Sequence, residues 1–230
     1  MCIRDRGYQT KKAYLIHGEK LRPGEFGVMH GYMKIPELKK VCHEMGVSIN
    51  EYLVGVYIWS VYTECLHGMP SKCPIRVAVP VNLRPYFNSI TTKNFFVMVS
   101  AEFHPTKETY TFAEVAEIVK ESLRSQINRE NLEKLFSYNV SNEKLLIARV
   151  VPLFLKNLAM KYVYTTSALA NTATITNIGN ISVTEEYRPY VEMFHAFLAM
   201  SKGQHLKGTI CSYGAVSYTH LRAHETSLHL

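Results

Sequence analysis

A helix that is apolar on every side must be covered on every side, and residues 48–66 read as such a helix. Ser48-Ile49-Asn50-Glu51 has the form of a capping box, with Ser first and Glu three residues later, so each can satisfy a backbone N–H of the other. The run that follows carries Leu53, Val56, Tyr57, Trp59 and Tyr62 nearly all the way round the helical circle. Such an element belongs between layers, which rules out a simple bundle surface helix and calls for a sheet nearby.

The strands that could supply that sheet are short and rich in β-branched residues. Residues 75–81 (IRVAVPV) and 94–103 (NFFVMVSAEF) are predicted strands. Looser alternation over 25–34 predicts another, and 173–178, about 190–199 and 207–213 complete the set. A helix begins at Pro36 and stops at Gly46. Thr111-Phe112-Ala113-Glu114 is a second capping box, opening an amphipathic helix, and a polar helix follows around 128–137. Residues 82–93, with Asn82, Pro85, Asn88 and Ser89, read as a loop. Long helices mixed with short strands indicate a layered α/β domain.

Residues 145–160 (LLIARVVPLFLKNLAM) are the most hydrophobic stretch. They fall short of the roughly 20 apolar residues a span requires, and Arg149, Pro152 and Lys156 interrupt them. A buried or interface helix is expected, with peripheral membrane contact through 145–161 as the second reading.

The chain has 230 residues, of which 47% are apolar and 20% charged, enough for a globular core. Its formal net charge is +7, but the basic residues are scattered and form no nucleic-acid motif. A basic surface suits a phosphate-bearing cofactor equally well. Five cysteines without a Cys-x-x-Cys pair argue against a disulfide framework or zinc ribbon and fit a reducing cytoplasm. No signal-peptide pattern opens the chain.

Both ends are out of character. Residues 1–6 and 216–230 resemble translated sequencing adapter of the kind found on metagenomic reading frames, which leaves 7–215 as the domain. Without them the net charge is +6. His220, His224 and His229 suggest a metal site, but the zincin spacing would need a histidine at Leu228, so none is expected.

Open α/β sheets place their sites just past strand ends. Asn82 and Arg84 follow the 75–81 strand, Asn94 opens the next, and Thr176, Asn177 and Gly179 close the 173–178 strand. Each alone is as well explained as a turn residue. Together, the segments GVSINEYLVGVYIWSVY (46–62), PVNLRPYF (80–87), NFF (94–96), ARVVPLFLKNLAMK (148–161) and TITNIGNI (174–181) resemble, in order and spacing, the C-terminal half of the condensation-domain and chloramphenicol-acetyltransferase-like acyltransferases. The bacterial alcohol acetyltransferase-type proteins are the most similar in this respect.

That resemblance implies a two-layer mixed sheet with packed helices, forming the C-terminal subdomain of a two-half enzyme with a tunnel between its halves. It implies acyl-CoA, such as acetyl-CoA, as co-substrate rather than a tightly bound cofactor, and a small-molecule alcohol or amine as acceptor. The family's general base is a histidine in an H-x-x-x-D-G motif whose Asp pairs with an arginine, here corresponding to Arg84. Thr176 stands where a hydroxyl stabilises the oxyanion in the related T-I-S-N-L-G stretch of dihydrolipoamide acyltransferases. Asn82, Asn94, Asn177 and Gly179 would contact substrate or co-substrate. The motif itself is missing: no histidine fits it, and the only aspartate is Asp5. The chain thus reads as the C-terminal part of an acyltransferase whose N-terminal half carries the base, inactive by itself. The alternative is a non-catalytic condensation-like module that holds carrier-protein-linked acyl groups.

Overall fold

The computed structural model describes residues 12–17, 22, 25–92, 94–107, 109–144, 151–199, 206–214 and 216–224. Six strands form one mixed sheet: β1 (Phe26–Lys34), β2 (Ile75–Asn82), β3 (Phe96–Phe103), β4 (Ala173–Asn180), β5 (Leu206–Tyr213) and β6 (Val216–His224). Their order across the sheet is β1-β6-β5-β4-β2-β3. The β2–β4 and β4–β5 pairs are parallel, whereas β2–β3, β5–β6 and β1–β6 are antiparallel. The helices are α1 (Ile35–Glu44), α2 (Ile49–Ser60), α3 (Arg84–Phe87), α4 (Phe112–Gln126), α5 (Arg129–Lys144) and α6 (Leu153–Ala168). This is the two-layer mixed sheet with packed helices that the sequence leads one to expect.

The capping boxes form as spaced. Ser48 Oγ accepts from Glu51 N at 3.2 Å while Ser48 N donates to the Glu51 carboxylate at 2.7 Å. Thr111 and Glu114 repeat the arrangement on α4. Each such cap contributes about 1 kcal/mol. Between them α2 and α4 cover one face of the sheet, and the core joins Leu53, Val54 and Ile58 of α2 with Val115, Val119 and Leu123 of α4 and with Val77, Val79, Val99 and Ile175 of the strands. The two helices pack closely at Gly55, where a Cβ would meet the Ala116 Cα at 3.6 Å, ordinary van der Waals contact.

Five expectations about elements are corrected. The long helix from Ser48 does not run uniformly to Leu66, since residues Val61–Cys65 form a π turn. Ser60 Oγ donates to Val56 O and Thr63 Oγ1 to Trp59 O, which competes with the regular ladder at that point. Residues 190–199 form no strand. After a 3₁₀ turn at Arg188–Tyr190 they run as irregular backbone against β1 and β5, over a face of the sheet. The helix within the 145–160 stretch is not buried. Residues 145–150 lie outside the described residues, and the exposed part of α6 includes Leu153, Phe154, Leu158 and Tyr162. The 82–93 loop contains the one-turn α3. The polar helix around 128–137 extends to Lys144. Residues 216–224, beyond the expected 7–215 domain, form β6 between β1 and β5, which leaves the origin of that segment untouched.

Candidate functional site at the ends of the parallel strands

Because β2, β4 and β5 run parallel, their C-terminal ends open on the same edge of the sheet. Asn82, Asn177–Asn180 and Ser212 therefore lie along one rim, the position where open α/β sheets receive ligands. Parallel alignment of β2 with β4 is fixed at their starts: Arg76 N donates to Thr172 Oγ1 at 3.0 Å, and Thr172 N donates to Arg76 O at 2.7 Å. The Arg76 guanidinium also reaches Glu102 on β3 and the Ala170 carbonyl, tying three segments together.

At the β2 end, the buried Leu83 anchors a tight turn through Leu83 N to Phe95 O. Asn82 Oδ1 accepts from Arg84 N at 3.1 Å and from the Arg84 guanidinium at 3.2 Å, and Arg84 Nε donates to Thr91 O at 3.0 Å. Arg84 is half-buried and staples its own loop. Asn94 is exposed just ahead of β3, and its neighbour Phe95 packs edge-on against Phe136.

At the β4 end, Gly179 adopts φ +82°, a conformation open to glycine, and its N–H donates to Asn177 Oδ1 at 2.9 Å. The pairing with β5 skips Ile178, which bulges out half-exposed. Asn177, Gly179 and Asn180 face Ser212 and the first turn of α1 across a cavity of about 430 Å³, with Leu38, Ile49 and Ile210 as apolar wall and Lys39 at the rim. The Ser212 hydroxyl donates to Gly179 O at 3.3 Å.

Thr176 is separated from its neighbours by the pleat. Ile175 lies in the core with the helices, and side chains alternate along a strand, so Thr176 stands on the other face, beside the buried Thr209. That face is crossed by residues 191–199. There Lys207 Nζ donates to Ala199 O at 2.8 Å, the Cys211 thiol reaches Phe194 O at 3.7 Å, and the Phe194 and Tyr213 rings meet edge-on. Thus Asn82 and Arg84 form one unit, Asn177 and Gly179 a second, and Thr176 a third on the opposite side of β4. Ser212, Asn180 and Lys39 escaped the sequence reading; only the return of β5 to the side of β4 brings Ser212 here.

Charge at the site is sparse. Burial pushes the Cys211 and Cys42 thiols up, so both stay protonated at neutral pH, and burial lowers Lys207. His104 is exposed past β3 and bonds Glu102. Among the described residues no group of three His, Cys, Asp or Glu could hold a metal ion.

No family model and no curated protein sequence matches the chain. Solved structures do. The wax ester synthase/diacylglycerol acyltransferase from Marinobacter aquaeolei VT8 superposes over 95% of this chain at TM-score 0.52 and 14% identity, and the chain covers 48% of it. The nonribosomal peptide synthetase FmoA3 matches over 94% at TM-score 0.60 and 16% identity, covering 21% of that protein. TRI3 trichothecene 15-O-acetyltransferase from Fusarium sporotrichioides matches over 91% at TM-score 0.59 and 13% identity, covering 45%. The fold is that of the condensation-domain and chloramphenicol-acetyltransferase-like acyltransferases. The chain spans about half the length of the wax ester synthase and less of the other two.

Proposed function

We propose that this chain is the C-terminal part of an acyl-CoA-dependent O- or N-acyltransferase of the alcohol acetyltransferase type, acting in the cytoplasm, with 1–6 and 216–230 derived from adapter sequence. The observation that carries the reading is the fold match over nearly the whole chain to acyltransferases about twice its length. The rim at the ends of β2, β4 and β5 gives it a place to act.

In the proposed reaction the acceptor oxygen or nitrogen attacks the thioester carbonyl. Its proton passes to a histidine supplied by the other half, the C–S bond breaks, and the proton is handed to the departing CoA sulfur. The Thr176 hydroxyl would donate to the oxyanion formed on the way. Arg84 would pair with the carboxylate of the H-x-x-x-D-G loop, and Asn82, Asn94, Asn177 and Gly179 would line the substrate path. In this reading the chain by itself turns over no acetyl-CoA; measurable thiol release by the isolated chain would overturn it. In the protein extended with its preceding reading frame, Thr176→Ala should lower kcat about 100-fold with KM little changed, and Thr176→Ser should restore most of it.

The likeness to FmoA3 favours one other reading, a non-catalytic module holding carrier-protein-linked acyl groups. Retention of an acylated carrier protein by the chain, with no activity from the extended protein, would select it.

A further inference from the structure

Residues 191–199 cross the face of the sheet on which Thr176 stands, and among the described residues they join no ladder. They run antiparallel to β5: Lys207 Nζ donates to Ala199 O at 2.8 Å, and four residues further along β5 the Cys211 thiol reaches Phe194 O at 3.7 Å. The Phe194 and Tyr213 rings meet edge-on at 5.2 Å, and His195 meets His30 of β1 at the same separation. Exposure alternates along the segment. Phe194, Ala196 and Leu198 are half-buried, while Met193, His195, Phe197 and Ala199 are exposed. One side of an extended segment is therefore turned to the sheet and the other to solvent. Beneath it the cover is close: Thr209 is 2% exposed and Cys211 fully buried. Thr176 stands beside Thr209 in the register of β4 and β5, half-buried at the same crossing.

The kind of attachment sets how this segment can move. A strand in a ladder is held by a run of mutual backbone bonds and leaves only with its neighbours. Here a lysine head, a thiol, which is a weak donor, and ring edges hold backbone and side chains from below. Such contacts can break together without disturbing the ladders of β4, β5 and β6.

We propose that residues 191–199 are a detachable strap, which closes the Thr176 face of the sheet and lifts from β5 as a unit to open it. Its consequence for catalysis rests on the acyltransferase reading, in which the lifted strap makes room for an acyl carbonyl beside the Thr176 hydroxyl. The opening itself does not depend on that reading.

Cys211 lies beneath the strap, whereas Cys42 is buried in a separate cluster with Leu38 and Val47. The test is alkylation of the full chain by iodoacetamide, with each cysteine followed by peptide mass spectrometry. Cys211 should react faster than Cys42, because lifting the strap costs less than unfolding the chain. Lys207→Met should raise the Cys211 rate about fivefold and Phe194→Ala about tenfold, with Cys42 unchanged in both. Equal rates at Cys211 and Cys42 in the parent chain would overturn the proposal, because the thiol would then be reached only by global unfolding. So would variants that leave the Cys211 rate as it is, or that raise Cys42 in step with it. In the protein extended with its preceding reading frame, Lys207→Met should lower KM for acetyl-CoA by the same factor, since apparent affinity scales with the open fraction. A faster Cys211 with an unchanged KM would overturn the gating of Thr176 while the acyltransferase reading stands. An extended protein without turnover would overturn that reading and leave alkylation to decide the strap.

Discussion

Glu51 holds three roles at once. Its carboxylate closes the capping box with Ser48, receives two hydrogen bonds from the Arg124 guanidinium at 2.8 and 3.0 Å, and so joins the start of α2 to the last turn of α4. Burial alone would raise its pKa, but the hydrogen bonds from Arg124 and Ser48 prevail and hold it below the ordinary value of 4.5. A carboxyl with a depressed folded pKa contributes stability that is present above the unfolded value and is lost as pH falls through the folded one. Acid unfolding should therefore steepen below pH 4.5, and Arg124→Met should remove that contribution. Because Arg124 stands largely in solvent, the cost at neutral pH should be small, and urea titration at pH 7 and pH 4 checks it. A chain whose acid response is the same with and without Arg124 would show that the pair carries no weight. The capping role of Glu51 was legible in the sequence, since cap and partner lie three residues apart. Its ion pair was not, because Arg124 lies 73 positions away and only the packing of α4 on α2 brings it in.

Helix packing has its own test at Gly55. A methyl there meets Ala116 at ordinary van der Waals distance, 3.6 Å from its Cα and 3.8 Å from its Cβ, and Gly55 sits mid-helix. Gly55→Ala should therefore stabilise the fold by up to about 1 kcal/mol through helix propensity. Gly55→Leu should destabilise it, by driving α2 away from α4. Thermal melts of both variants separate a close-approach glycine from an indifferent one. Elements with strong local signals were readable in advance: both capping boxes, the Gly46 stop and the β-branched strands. Those set by competition were not. Residues 190–199 have the composition of a strand but cross a face of the sheet instead of joining an edge, and the π turn at Val61–Cys65 arises where hydroxyls of Ser60 and Thr63 compete for helix carbonyls. Within the site, sequence proximity misled for Thr176 and Asn177, since one step along a pleat places two side chains on opposite faces.

On the scale of the whole molecule the sheet depends on β6. Among the described residues β1 pairs with β6 and with no other strand, and β5 loses one neighbour if β6 is removed. Deleting residues 216–230 should release β1, leave β5 as an unpaired edge and promote self-association. Hydrogen exchange should show lost protection at 26–34 with β2 and β3 protected as before, and sedimentation should show oligomers. Unchanged protection at 26–34 would show that β1 is held by other means.

The Arg84 loop carries a consequence for assembly. Asn82 and the Thr91 carbonyl already hold the guanidinium, so a carboxylate pairing with Arg84 as proposed would meet a side chain whose ordering cost was met during folding. Association there would proceed as the docking of two rigid bodies rather than as coupled folding. Its heat-capacity change would then track the apolar area removed from water at the rim, without the added signature of a loop becoming ordered.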